Sequence, residues 1–322
     1  MRVAIIGAGV CAGAASARLR QAGIEAQVFE KSRGPGGRTA TRRTTVDGRK
    51  VGFDHGCTVA TADGVAFKAF LDEAVEAGAA APWPEGLGVV GVPGMNALAR
   101  RLLADTQIHP GFPVASLNRQ GDGWHLTAND GRSAGPFAAV LSTVPAVQAV
   151  PLLASAAPML SDAAATATYN PAWAGLFAFP DAESHRLADL EATALQAEGV
   201  ERLIDNGGKP HRVGATLVLH ADPVWSAKNL EWEAQTVRDH FVKLLSGLSL
   251  PEPMYASAHR WRYSTPAKTA VMDTPFDPSL MVGAAGDWAG PTGAIPLENA
   301  YLAGTALADA AASALTGERP SV

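Results

Sequence analysis

Arg2-Val3-Ala4-Ile5-Ile6-Gly7-Ala8-Gly9-Val10-Cys11-Ala12-Gly13 opens this chain, and Glu25-Ala26-Gln27-Val28-Phe29-Glu30 follows it. Residues 2–6 predict a short strand buried on both faces, as in a parallel sheet. Residues 12–22 predict a helix with small residues toward that sheet, closed by Gly23. Residues 25–29 predict a second strand ending at Glu30. This is a βαβ opening of a doubly wound sheet. Gly7 permits the tight turn, Gly9 lets the backbone approach a pyrophosphate, and Ala12 takes the third, small position of the fingerprint. The helix N-terminus offers unpaired N–H groups to phosphates. Glu30, 23 positions after Gly7, can accept ribose hydroxyls. The duller reading of the turn alone is an ordinary βα connection.

Working outward, Gly34-Pro35-Gly36-Gly37-Arg38-Thr39-Ala40-Thr41-Arg42 follows Glu30 directly. Gly36-Gly37 lets the chain pass close to a cofactor, and Arg38 can counter a phosphate. Nicotinamide dehydrogenases have no reason for this segment, whereas it is characteristic of flavoproteins of the amine-oxidase type. Near the other end, residues 281–288 (MVGAAGDW) read as a strand running into Gly286-Asp287, and residues 293–304 (GAIPLENAYLAG) open the last helix. In the FAD-binding superfamily such a Gly-Asp places a carboxylate on the ribityl chain. A helix N-terminus at Pro296-Leu297 can sit under the flavin pyrimidine, where its positive end favours the reduced flavin.

Between these ends the pattern changes. Helices are expected over 64–77, 94–105 and 229–246. Strands are expected over 107–128 (around the GDG turn), 138–143, 174–180, 200–205, 213–220, 253–263 and 280–282, and a long helix over 296–315. The fold class is therefore α/β: a discontinuous Rossmann-like FAD-binding domain (1–63, 92–148, 270–322) with an inserted α+β substrate domain (64–91, 149–269). The closing GERPSV is expected to fray. From Ala134 to Pro180 the only charge is Asp162, but prolines at 145, 151, 158 and 171 interrupt it. That favours a buried strand-helix-strand region over a membrane span.

Composition narrows the function classes. With 47% hydrophobic and 18% charged residues, there is material for a large core. The net charge of −5 comes with no basic run, so no nucleic-acid partner is expected. Two cysteines, Cys11 and Cys57, form no disulfide framework. With no secretory leader before the first strand, a cytoplasmic protein is expected.

GAGVCAG, FEKSRGPGGR, FDHG (53–56), PGMNAL (93–98), HADPVWS (220–226), HRWRY (259–263) and GDW together resemble the renalase-like flavoproteins, a branch of the amine-oxidase/hydroxylase superfamily with the GR2-type flavoprotein fold. The resemblance covers nearly the whole chain. It implies oxidation of dihydro-NAD(P) isomers reduced at the wrong ring carbon; with neither cysteine near the C-terminus, where amine oxidases attach flavin covalently, and no metal-ligand cluster in the sequence, dissociable FAD and no metal are expected. Hydride passes to flavin N5, and dioxygen reoxidises the flavin to give hydrogen peroxide. Orientation does most of the work, because hydride loss leaves an aromatic cation. The expected cofactor contacts are Gly7, Gly9, Cys11, Ala12, Glu30, Lys31, Gly37, Arg38, Gly56, Cys57, Val114, Gly286, Asp287, Pro296 and Leu297. His55 is the candidate catalytic residue, and Thr58, Arg260, Arg262, Tyr263 and Trp288 the candidate substrate pocket. Where many family members have DHGAQY, this chain has Thr58 and Val59 for the glutamine and the aromatic, which bears on specificity.

Each assignment has a plainer alternative. His55 can be a structural histidine, Cys57 small filler, Trp288 core, and residues 259–263 a half-buried edge strand. Trp173, Trp225 and Trp232 fit core or pocket wall. Lys209 fits a loop lysine or a contact to substrate phosphate. The competing functions are an oxidase of small amines, a flavin hydroxylase, and a non-catalytic FAD-binding protein. No lysine lies in a motif recognisable from amine oxidases, and no hydroxylase motif is present. The partners expected are a dinucleotide-like or amine substrate and O2 as acceptor, with no membrane.

Overall fold

The computed structural model describes residues 1–83, 88–272, 274–291 and 293–317. In chain order these form β1 (Arg2–Ile6), α1 (Val10–Gln21), β2 (Glu25–Glu30), β3 (Thr41–Val46), β4 (Arg49–Asp54), α2 (Val65–Glu76), β5 (Ala80–Pro82), β6 (Val89–Gly91), α3 (Asn96–Leu102), β7 (Gln107–Pro110), β8 (Val114–Gln120), β9 (Gly123–Ala128), β10 (Ser133–Phe137) and β11 (Ala139–Ser142). There follow α4 (Ala146–Leu153), α5 (Pro158–Ala165), β12 (Thr168–Phe179), α6 (Ser184–Ala188), β13 (Val200–Asp205), β14 (Ala215–Ala221), α7 (Pro223–Lys228), α8 (Ala234–Ser246), β15 (Tyr255–Lys268), β16 (Phe276–Asp277), β17 (Val282–Ala284) and α9 (Pro296–Thr316).

Val3, Ala4 and Ile5 are apolar without alternation because β1 lies inside a six-stranded sheet covered on both faces. The strand order is β16-β17-β11-β1-β2-β7, parallel except for the edge strand β16. One face buries Val3, Ile5 and Leu141 against Ala12, Ala15 and Leu19 of α1 and Leu307 and Ala311 of α9. Those helices touch closely: a Cβ on Gly304 would lie 2.2 Å from the Cys11 carbonyl oxygen. The other face buries Ala4, Ile6 and Val140 against Leu126 and Phe137 of the meander β8-β9-β10, and against Leu152 and Leu153 of α4. This is the expected α/β, Rossmann-like architecture.

The second large sheet is antiparallel, in the order β13-β14-β12-β15. One face takes Val237, Phe241 and Leu245 of α8, and the other takes Val46, Val51 and Phe53 of the β3–β4 hairpin. Packing does not follow the expected division at every point. Helices α4 and α5 belong with the parallel sheet, and α2 packs with α3 and the start of α9 through Phe67, Phe70, Leu98 and Leu297.

Some elements depart from the sequence-based expectation. The helix expected over 229–246 begins only at Ala234, and the separate short helix α7 precedes it. Asp222 caps α7 by accepting the Trp225 N–H at 2.7 Å, with Pro223 at the first position. The Asn229 side chain then bonds the Trp225 carbonyl at 2.9 Å as α7 ends. The strand expected at 280–282 begins only at Val282. Asp277 Oδ1 accepts the Ser279 and Leu280 N–H groups, and Met281 has φ of 57°. The interrupted apolar region 134–180 folds as strands and short helices. Among the described residues, no helix is long and apolar enough to cross a membrane. Of the expected frayed end, residues 318–322 lie outside the described residues.

Candidate active site

The parallel sheet reverses its winding at β1: β2 and β7 lie on one side, β11 and β17 on the other. Ligands of open α/β sheets bind at the carboxyl ends of the strands beside such a switch point. Here Gly7, at φ of 97°, donates its N–H to the Phe29 carbonyl at 2.9 Å, and the Thr143 hydroxyl closes onto the Ile6 carbonyl at 2.8 Å. Above these turns opens a cavity of about 1160 Å³. Gly7, Gly9, Cys11, Glu30, Lys31, Gly37, Arg38, Cys57, Val114, Gly286, Asp287, Pro296 and Leu297 line it, as do His55, Arg260, Arg262 and Tyr263.

The glycine turn between β1 and α1 leaves room for a dinucleotide. Gly9 sits at φ of −88°, a backbone any residue can adopt, and a Cβ added there would meet no atom of the described residues within 4 Å. Packing therefore does not require a glycine at that position; the space beside it opens into the cavity. Gly9 is also the N-cap of α1 and bears no capping side chain, so the N–H groups of the first turn stay available. Glu30 is buried and accepts the Ala8 N–H at 2.9 Å and the Ser32 N–H at 2.7 Å. A carboxylate has about four acceptor sites, so capacity for ribose hydroxyls remains. Pro296, Leu297 and Ala300 bring the start of α9 to the same cavity.

Five expectations need correction. Arg38, expected on a phosphate, makes a bidentate pair with Asp287 at 2.5 and 2.7 Å and donates to the Ser264 carbonyl at 3.0 Å. Asp287 is only 2% exposed, and a buried carboxylate requires such a partner. The pair ties the first loop to the last turn. Trp288, expected in the substrate pocket, is fully buried in the core, with its indole N–H on the Val144 carbonyl at 3.0 Å. Ala12 does not line the cavity; it packs from α1 against the sheet, as its small third position in the fingerprint requires. Gly56 is a packing glycine: its Cβ would lie 2.2 Å from the Arg38 carbonyl oxygen. Thr58 is not among the cavity-lining residues; it is buried, with its main-chain carbonyl accepting Lys209 Nζ at 2.7 Å.

Lys209 lies in the loop between β13 and β14, but its side chain is neither solvated nor in the cavity lining. It is 2% exposed and reaches Asp54 Oδ2 at 3.1 Å, and Arg212 binds the same oxygen. Burial pushes the Asp54 carboxyl up, but Lys209 and then Arg212 outweigh it, so the group stays ionised below the usual carboxylate range.

The wall opposite the turns comes from β15 and the residues after β4. Trp261 Nε1 donates to the His55 carbonyl at 2.8 Å. The His55 ring meets His259 edge-on at 4.5 Å and lies 5.1 Å from Trp261. Tyr263 packs on Tyr169 at 5.8 Å. Arg260 and Arg262, alternating with these aromatics, both reach Glu231. His55 is 5% exposed, and its Nδ1 has no hydrogen-bond partner among the described residues. Burial pushes the Cys57 thiol up to about 11, and its sulfur donates to the Val59 carbonyl at 3.1 Å. His259, Thr143, Val144 and Gln148 also line the cavity. Sequence reasoning passed over them, although His259 begins HRWRY and Thr143 follows a parallel strand at the switch point.

Burial pushes His55, His259 and His220 each down to about 4; His55 and Arg42 add to the effect at His259, and Arg202 at His220. The ordinary value is 6.5. Between these two values the unfolded chain holds protons that the folded chain does not, so stability rises with pH across that window. The urea midpoint is expected to fall steadily from pH 6.5 to 4 and then level off with respect to these groups. His55→Asn is expected to flatten the slope, and an unchanged slope would refute the assignment.

Known proteins share this architecture. A model described as an NAD(P)-binding Rossmann-like domain matches residues 5–74, and one described as a flavin containing amine oxidoreductase matches residues 84–317. The structure superposes on one assigned as a protoporphyrinogen oxidase from Exiguobacterium sp. 255-15 with a TM-score of 0.67, at 14% identity, over 97% of this chain and 98% of that one. It superposes on cyclohexylamine oxidase from Brevibacterium oxydans IH-35A with a TM-score of 0.64, at 16% identity, over 98% and 99%. Both likenesses speak to the fold alone. A zeta-carotene-forming phytoene desaturase from Myxococcus xanthus is 53% identical over 47 residues, which span 15% of this chain and only 9% of the desaturase. With the second match extending over most of the chain, and a glycine turn, buried carboxylate and helix N-terminus converging on one large cavity, this protein belongs to the flavin containing amine oxidoreductase family.

Proposed function

We propose that this chain is a renalase-like oxidase, a cytoplasmic enzyme that holds FAD non-covalently and oxidises isomers of dihydro-NAD(P). Bound FAD supplies the hydride acceptor, and dioxygen takes up the electrons to give hydrogen peroxide. Gly7, Gly9 and the start of α1 would hold the pyrophosphate, Glu30 a ribose, Asp287 the ribityl chain, and the start of α9 the pyrimidine edge.

The observation that carries this reading is the composition of the opposite wall. Trp261, Tyr263, His55 and His259 offer flat surfaces to a dihydropyridine ring, while Arg260 and Arg262 offer positive charge to its phosphates. The two histidines stay neutral at physiological pH and so do not oppose a ring that becomes cationic. Among the described residues lining the cavity, the only lysine is Lys31, next to Glu30.

A second reading, oxidation of a small amine, is favoured by the family match over 84–317. An amine arriving as ammonium would meet two arginines at this wall. The test is anaerobic stopped-flow mixing of the FAD-loaded protein with borohydride-generated dihydro-NAD and dihydro-NADP isomers, with ordinary NADH and an amine panel alongside. Rapid bleaching by the isomers alone, then oxygen-dependent peroxide release, is the expected result. Bleaching by an amine alone would replace this reading with the second. No bleaching by any donor would favour a non-catalytic flavoprotein.

A further inference from the structure

Glu231 lies in the short segment between α7 and α8, and its side chain is 72% exposed. It nevertheless makes a bidentate pair with Arg262, at 2.6 and 2.8 Å, and lies 3.5 Å from Arg260. Arg260 is braced from behind, with its guanidinium 5.5 Å over the Trp173 ring and donating to the Leu230 carbonyl at 2.8 Å. Both arginines line the cavity, while Glu231 does not. The chain thus carries a net charge of −5 yet concentrates cations here, and the Arg42 charge also reaches His55 and His259.

A planar carboxylate held by a guanidinium fork has the geometry of an anionic ligand. We propose that Arg260 and Arg262 form an anion-binding subsite at the cavity mouth and that Glu231 is its built-in occupant, displaced by a phosphate-bearing substrate. The identity of that substrate as a dinucleotide rests on the function proposed above; the displacement itself does not. Glu231 selects by charge: a neutral donor gains nothing from evicting it, whereas a pyrophosphate replaces one negative charge by several. The latch is exposed, so its own pairing is weak enough to exchange.

The test uses the FAD-loaded protein and inorganic pyrophosphate, titrated by calorimetry at fixed ionic strength. Glu231→Gln keeps the shape and removes the charge, and is expected to bind pyrophosphate about fivefold tighter than wild type, the scale of one half-exposed ion pair. Arg262→Gln is expected to weaken binding, and in the double variant the gain from Glu231→Gln should vanish. Equal affinity in wild type and Glu231→Gln, or no binding in either, overturns the latch. These outcomes are independent of which donor bleaches the flavin. An amine result in the stopped-flow experiment would therefore sink the proposed function while leaving the anion titration to stand or fall alone. If the dinucleotide reading holds, Glu231→Gln should also lower KM for the dinucleotide isomers but not for the uncharged riboside, and a merely structural role for Glu231 would not separate the two.

Discussion

Asp54→Asn is expected to destabilise the fold by about 3–5 kcal/mol, the cost of breaking a buried ion pair by removing one partner. Asp54 is fully buried and joins four groups from distant parts of the chain. Oδ1 accepts the Thr41 hydroxyl at 2.7 Å and the Met95 N–H at 3.0 Å. Oδ2 takes Lys209 at 3.1 Å, together with Arg212. An asparagine can keep the first two bonds, but it leaves two buried cations without a counter-charge. Burial already pushes the Lys209 amine down, and in the variant it would go lower still. Its folded value then lies below its ordinary 10.5, so the variant should regain stability as pH rises toward that value. Urea denaturation at several pH values checks both parts. A loss below about 1 kcal/mol, as for an exposed pair, would show that the cluster does not anchor the β3–β4 hairpin to the 206–212 loop. His55 follows Asp54 directly, so the same cluster holds the cavity wall in place.

Gly9→Val should leave the fold intact and abolish useful FAD binding, with affinity down at least about a hundredfold, roughly 3 kcal/mol. What surrounds the position decides the outcome. The backbone there is extended, at φ of −88° and ψ of −170°, and an added Cβ meets no atom of the described residues within 4 Å. The described residues therefore leave its Cβ free of clashes. A pyrophosphate crossing the start of α1 would not, because its contacts are to the N–H groups that a valine would shield. The apo-protein should therefore show wild-type circular dichroism and a similar melting temperature, while flavin fluorescence titration shows the loss. Gly13→Val is the contrast: its Cβ would lie 2.6 Å from Leu102 Cβ, so that variant should fail by misfolding. Normal flavin affinity in Gly9→Val would remove the phosphate turn from this position.

Much of the cofactor half was legible in the chain itself, for local reasons. The run Val3–Ile6, the glycine turn and the small residues of α1 are dictated by a strand buried on both faces and a helix that must sit close to it. Glu30 could be assigned because a strand of fixed rise delivers its last residue beside the first turn, and its Oε2 does take the Ala8 N–H at 2.9 Å. The alternation along HRWRY, with arginines reaching Glu231 and Trp261 reaching His55, likewise follows from the two-residue period of a strand.

Tertiary structure alone decided the charge partners and the depth of each aromatic. Arg38 and Asp287 stand 249 positions apart, and no spacing rule foretells that they neutralise one another. Lys209 reads as a solvated loop lysine until Asp54, 155 positions away, draws its ammonium inside, where it also takes the Thr58 carbonyl. Trp288 follows Asp287 directly and still belongs to the core, with its indole N–H on the Val144 carbonyl. Sequence determined what local backbone geometry and periodicity can encode: the sheet, its turns and the cofactor-side glycines. The rest waited on which charges meet after the chain folds, because pairing a buried charge outweighs any local preference of its side chain.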